Sequence, residues 1–277
     1  MAQGNQDIAI HVGTLHYTCK DVLRVFKDQM EPGDVYMIND PYAGGTHFND
    51  VRLIRPIFAD DEVIAFSQSN GHWSDIGGSV PGSFDVLAKD MFGEGVRITP
   101  VRIVDSRGLR TDLAEMIAAN TRDPASVVGD MQAQAQATAV AEREILRLVD
   151  KYGKDTVVTA FREVQDYVEA ATRQRIAELP DGTWETEDYI DRDPAREEGL
   201  IPIKVKLTIK GEEVTYDFTG SHETISTIYN AAYGGTFSAV VASMKTYFPD
   251  LPLNSGFYRP INVIAPEGSI VDAKWPV

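Results

Sequence analysis

The chain has 277 residues, 43% of them hydrophobic, which is enough for one large domain or two ordinary ones with a filled core and excludes a disordered segment. Its 42 acidic against 26 basic residues give a formal charge of −16, which disfavours nucleic acid and anionic membrane surfaces, since both reward clustered Lys and Arg. Cys19 is the only cysteine, so no internal disulfide can form and a buried structural thiol is expected.

Residues 1–7 lack the basic and apolar regions of a signal peptide, and no apolar run reaches membrane-spanning length, so a cytoplasmic protein is expected. Residues 8–12 form an apolar run with no cap or turn before it, an opening that points to a start in mid-fold. Residues 19–29 follow with Val22, Leu23, Val25 and Phe26 spaced as in a short amphipathic helix, ended by Glu31-Pro-Gly33. Residues 34–39 read as a strand. Residues 51–58 and 63–69 are two further strands around the polar turn Ala59-Asp-Asp-Glu62, an antiparallel hairpin in which Pro56 predicts an edge or a bulge. Folding this hairpin about Asp61 sets Asp50 nearly opposite His72.

Residues 77–95 are rich in Gly, Pro and Ser without apolar period, a long loop of the kind that usually carries function. Helical patterning occupies residues 112–179. Asp123-Pro124 is a cap and first-turn pair for a helix to about Tyr152, and Val157, Phe161, Val164 and Val168 continue the period, so two long helices packed together are expected. Pro180-Asp-Gly182 turns the chain into strands at 182–190, 203–209 and 213–218, the last two joined by a hairpin at Gly211. A helix over 236–247 and a strand over 261–265 complete the chain. The expected architecture is a mixed α+β fold: a β-rich first part with Gly-rich site loops (1–110), a long helical middle (111–179) and a second, β-containing α/β part (180–277).

Potential ligands concentrate in Asn39-Asp-Pro-Tyr-Ala-Gly-Gly-Thr-His-Phe-Asn-Asp50 and Asn70-Gly-His-Trp-Ser-Asp-Ile-Gly-Gly78, which the hairpin makes neighbours. Two imidazoles and a carboxylate, with positions left open for water or substrate, suit Mn, Fe or Zn. The expected metal ligands are His47, Asp50 and His72. Asp40 and Asp75 are placed to complete the shell, to orient an imidazole or to accept a proton, and Gly77 and Gly78 to present backbone N–H groups to a developing oxyanion. His11, His16 and His222 read as hydrogen-bonded structural or loop residues. No Gly-x-Ser-x-Gly elbow occurs, and neither a Gly-x-x-x-x-Gly-Lys-Ser/Thr loop nor a strand-linked Gly-x-Gly-x-x-Gly is present, so any ATP must be bound by another chain.

Gly33-Asp-Val-Tyr-Met-Ile-Asn-Asp-Pro-Tyr-Ala-Gly-Gly-Thr-His47, His72-Trp-Ser-Asp-Ile-Gly-Gly-Ser-Val-Pro-Gly-Ser83 and Glu94-Gly-Val-Arg-Ile-Thr-Pro100 together resemble the hydantoinase B/oxoprolinase family. The likeness continues through Gly182-Thr-Trp-Glu185, Tyr216-Asp-Phe-Thr-Gly-Ser221 and Pro252-Leu-Asn-Ser-Gly256, in order over nearly the whole chain. It implies a B-type subunit that works with a hydantoinase A-like, ATP-binding partner in a hetero-oligomer. The partner would phosphorylate a hydantoin, 5-oxoproline or lactam, and this chain would complete the ring opening with water activated at its metal. Related acetone carboxylases bind manganese through a His-x-x-Asp pair and a later His, which fall on His47, Asp50 and His72, so manganese becomes the expected ion. Two alternatives follow from the resemblance: an alpha-type subunit of an ATP-dependent ketone carboxylase, and a non-catalytic scaffold for the ATP-binding subunit. Trp73 stands where many hydantoinase-like members carry a second histidine. Family chains usually have more sequence on both sides, so part of a longer chain is expected.

Overall fold

The fold is taken from a computed structural model that describes residue 11, residues 13–191 and residues 199–276. Two compact units are present, one over residues 15–159 and the other joining residues 160–277 to the first fourteen. Of the apolar run at 8–12, only His11 falls among the described residues.

The first unit opens with helix α1 (Leu15–Phe26), in which Thr18 and Val22, four residues apart, are buried on one face. It begins a turn earlier than the apolar spacing predicts. Strand β1 (Val35–Ile38) lies at the centre of a five-stranded antiparallel sheet with β2 (Asp50–Ala59), β3 (Glu62–His72), β4 (Val101–Asp105) and β5 (Gly108–Leu109), in the order β3-β2-β1-β4-β5. The β2–β3 hairpin turns through Asp60 and Asp61, both with positive φ (51° and 60°), the conformation a two-residue turn needs to match strand twist. Its pairing sets Asp50 opposite His72, as counting from Asp61 predicts, and a register shift beside Ile57 and Phe58 supplies the bulge expected from Pro56. Pro56 is not on an edge strand: β2 is flanked by β1 and β3, but β1 pairs only as far as Ile54.

Alternation along β2 gives the sheet two faces. Val51 and Leu53 join Val35, Met37 and Trp73 in the larger core, while Ile54 joins Val22, Tyr36 and Ile38 on the side of α1. After the loop containing the short helix α2 (Met91–Glu94) come α3 (Thr111–Ala118) and α4 (Pro124–Tyr152). The Asp123 carboxylate accepts from Ser126 N–H and Pro124 occupies the first turn, as expected of this cap. α4 lays Val127, Met131, Gln134, Ala135 and Thr138 against β2 and β3. The expected pairing of long helices thus gives way, for α4, to packing on a sheet, because its buried stripe meets the apolar face of the hairpin.

α5 (Lys154–Ala177) runs into the second unit, where β6 (Gly182–Ile190), β7 (Ile201–Lys210), β8 (Glu213–Asp217) and β9 (Ile261–Ile264) form a sheet in chain order. The β6, β7 and β8 neighbours are antiparallel, and β8 and β9 are parallel, linked by α6 (Tyr233–Tyr247) and α7 (Ser255–Tyr258). Gly211 turns the β7–β8 hairpin with φ of 60°. Gly256 lies so close to α5 that a Cβ there would come within 1.9 Å of the Gln165 carbonyl oxygen.

Candidate metal centre

The end of the β2–β3 hairpin and the loop entering β2 bring His47, Asp50 and His72 together. One ligand atom from each lies within 4.8 Å of the others. His47 Nε2 is 3.3 Å from Asp50 Oδ2, and His72 Nδ1 is 3.3 Å from Asp50 Oδ1, so the carboxylate sits between two imidazoles. The rings meet edge to face with centroids 5.0 Å apart. Asp50 is 1% exposed in its side chain, against 40% and 56% for His47 and His72. A buried carboxylate under two half-open imidazoles leaves the outer side accessible. Donors about 2.1 Å from one ion are about 3–4 Å apart, close to the spacing present here, and the mixed N/O set suits Mn, Fe or Zn. The residues fit a divalent metal.

Local structure explains how the three are held. Asp40 caps the turn Pro41–Ala43, accepting from Tyr42 N–H at 3.0 Å, and Gly44 leaves that turn at φ of 98°. Gly45 must pack on the Asp40 backbone, since a Cβ would come within 2.8 Å of the Asp40 carbonyl oxygen. The chain then runs through Thr46, whose hydroxyl donates to Asp50 Oδ2, to His47. Arg52, two residues beyond Asp50 on the same face of β2, is wholly buried and paired with Asn70 across the hairpin. Burial lowers its pKa to about 10, with Asp50 and Cys19 nearby acting in the opposite sense. Cys19 donates to Gln68 Oε1 at 3.3 Å, and burial pushes its thiol up to about 12, consistent with a structural role.

The other expected site residues are committed elsewhere. Asp40 is buried and takes the Arg97 guanidinium on its second oxygen, with Arg97 Nε at 2.8 Å. Asp75 is 4% exposed and accepts from four donors: Gly77 N–H at 2.9 Å and Arg122 N–H at 3.0 Å on Oδ1, Gly82 N–H at 3.0 Å and the Arg122 guanidinium at 3.1 Å on Oδ2. Burial would raise its pKa, but these hydrogen bonds outweigh burial and lower it, so Asp75 is a poor proton acceptor. The oxyanion role expected of Gly77 meets the same obstacle, because its N–H already donates to Asp75. Gly77 and Gly78 have φ of 89° and 80°, and a Cβ on either would come within 2.5 Å of a backbone oxygen, Asn120 or Gly93 respectively. Close backbone packing accounts for both.

Sequence reasoning missed Arg52, Thr46 and Gln134. The strand alternation that buries Asp50 also buries Arg52, so the sequence carries a signal for that residue. Trp73, in the place of the second histidine, is 1% exposed and donates from Nε1 to Gln134 Oε1 at 2.9 Å, so it belongs to the core and not to the centre. Burial, with Lys20, lowers the His16 pKa to about 4, while the His11 carbonyl accepts from Thr14 and His222 Nδ1 donates to the Glu223 carbonyl at 2.7 Å.

A family model described as Hydantoinase B/oxoprolinase matches residues 1–277. An uncharacterized protein of Methanocaldococcus jannaschii is 35% identical over 275 residues, covering 98% of this chain and 48% of its own. Caprolactamase subunit beta of Pseudomonas jessenii is 31% identical over 273 residues, covering 98% of this chain and 47% of its own. The crystal structure of the ATP-dependent caprolactamase from that organism matches with a TM-score of 0.92 over 98% of this chain and 47% of that one. Nucleotide-free acetone carboxylase, 21% identical, shares the fold with a TM-score of 0.87 over 95% of this chain and 37% of that one. The chain spans about half the length of the curated relatives it matches. No helix among the described residues is long and apolar enough to cross a membrane.

Proposed function

The chain belongs to the hydantoinase B/oxoprolinase family, and on that premise we propose that it is the metal-binding part of an ATP-dependent amidohydrolase that opens a cyclic amide of the hydantoin, oxoproline or lactam type. The gathering of His47, Asp50 and His72 at one end of the hairpin carries this reading. The caprolactamase of Pseudomonas jessenii, described as ATP-dependent, supports the reaction class through its name. With no nucleotide-binding motif in the sequence, ATP is assigned to a hydantoinase A-like partner subunit, which activates the amide oxygen by phosphorylation within a cytoplasmic hetero-oligomer.

His47, Asp50 and His72 hold the divalent ion, manganese first, with zinc or iron accepted by the same donors. Once bound, such an ion would lower the pKa of water and polarise the activated substrate. Asp50 supplies the fixed, buried charge, and the two exposed imidazoles leave the approach open to the activated ring. Asp75 and Asp40 act here by holding loops, since their oxygens are taken by Arg122, Gly77, Gly82, Arg97 and Tyr42. Of the two glycines expected at an oxyanion, Gly78 is retained as a backbone donor.

Elemental analysis of the purified protein and of His47→Ala and His72→Ala variants that fold by circular dichroism tests the centre. Stoichiometric metal in the parent, lost in both variants, is expected; unchanged or absent metal refutes it. Hydrolysis of hydantoin, 5-oxoproline or caprolactam with ATP and the partner subunit should then stop on chelation. If chelation moves melting and leaves turnover alone, the chain is a scaffold, and bicarbonate-dependent consumption of a ketone would make it a carboxylase subunit.

A further inference from the structure

The three candidate ligands stand on three separate pieces of backbone. Asp50 opens β2, His72 closes β3, and His47 lies on the loop that follows Gly44. Arg52 touches all three. It belongs to β2, two residues from Asp50 on the same face; its Nε donates to Asn70 Oδ1 at 3.2 Å, two residues before His72; its Nη1 donates to the Gly44 carbonyl at 2.7 Å, three residues before His47. Arg52 and Asn70 are also cross-strand partners, two residues inward from Asp50 and His72. The planar guanidinium suits the task, since it presents several donors in fixed directions.

On its β2 face Arg52 lies between Asp50 and Ile54, opposite Asn70 on β3. It pairs with Ile38 on β1, and Ile38 and Ile54 both belong to the apolar cluster with Val22 and Tyr36. A guanidinium with no exposed surface is costly to desolvate, and the nearby charge of Asp50, itself buried, offsets part of that cost. Charge balance with Asp50 asks only for a cation nearby, whereas directed donors to Asn70 Oδ1 and the Gly44 carbonyl also fix the ligand-bearing segments.

We propose that Arg52 is the positioning residue of the candidate metal centre, a buried tie that fixes the backbone under His47, Asp50 and His72 in one arrangement. This rests on the metal reading above. Calorimetric titration of Mn2+ into the protein, Arg52→Met and Arg52→Lys tests it, with melting followed in parallel. Arg52→Met should bind Mn2+ about 10–100-fold more weakly, the loss typical of removing a group that orients metal ligands, and Arg52→Lys should recover part of it. The His47 and His72 ring signals of the metal-free protein should also shift or broaden in Arg52→Met. A folded Arg52→Met with parental Mn2+ affinity and unmoved ring signals overturns the proposal. Should Arg52→Met fail to fold, Asn70→Ala removes only the β3 connection: several-fold weaker Mn2+ binding is expected, and unchanged affinity overturns the tie. A parent protein that binds no Mn2+ defeats the metal reading, and the ring signals then decide the fate of the tie.

Discussion

Asp75 sits on the segment that follows β3, and its two oxygens accept from Gly77, Gly82 and twice from Arg122. Replacing it with Asn keeps the shape but removes the charge and one acceptor, so Asp75→Asn should destabilise the protein by about 1–3 kcal/mol near neutral pH. Its folded-state pKa is lowered, so the stability it contributes is present above the unfolded value of about 4 and is lost as pH falls through the folded value. Urea unfolding should therefore show a gap between parent and variant that shrinks in acid. A gap that persists below the carboxylate range contradicts this role, and turnover lost beyond what the change in stability explains would return Asp75 to the chemistry. The sequence makes the closeness of Asp50 and His72 legible because strand period and turn position fix the register of a hairpin, and His47 comes with them as the residue three before Asp50. It does not show which donor fills which acceptor, and for that reason Gly77 reads as an oxyanion donor when its N–H already serves Asp75.

Among the elements, α4 is joined to the hairpin by polar contacts from Gln134 and from Arg55, which donates to Thr138, Glu142 and the Ala135 carbonyl. Gln134 accepts from Trp73 Nε1 at 2.9 Å and donates to the Val51 carbonyl at 2.9 Å, next to Asp50 and His72 on the strands. Gly71 makes room for it, since a Cβ there would come within 2.7 Å of the Gln134 side chain. Gln134→Leu leaves the buried Trp73 N–H unsatisfied, and a loss of about 1–3 kcal/mol is expected, read by thermal melting and by a change in tryptophan fluorescence. Unchanged melting would mean that the indole finds another acceptor. Elements of strong period or punctuation are legible in the sequence: β6 begins and ends where its strand pattern does, and the Asp123-Pro124 start of α4 holds. β4 and β5 are not, because five and two residues after a Gly-rich loop carry little period, and only pairing with β1 on one side and β5 on the other makes β4 a strand. Nor does period alone reveal what a helix packs against, which is why α4 on the hairpin replaces the expected helix pair.

At the scale of the molecule, residues 15–159 and the remainder each form a compact unit. Each has a core of its own, one around Val35, Leu53, Trp73 and Met131, another around Ile201, Ile225, Ile270 and Val271. Regions with separate cores open separately, and hydrogen exchange reads their free energies one by one. Gln134→Leu acts only within the first unit, so exchange should quicken in β2, β3 and α4 while β6 to β9 keep parental rates. Gly256→Ala acts within the second, because its Cβ would come within 1.9 Å of the Gln165 carbonyl oxygen and force α7 away from α5. There the acceleration should fall on α5, α7 and the second sheet, with the hairpin unaffected. Mass spectrometry of both variants under native conditions makes the comparison, and equal acceleration of both units by either substitution would show that the chain opens as a single cooperative body. The separation also bears on the candidate centre: His47, Asp50, His72 and Arg52 all lie within residues 15–159, so Mn2+ affinity should fall with Gln134→Leu before it falls with Gly256→Ala.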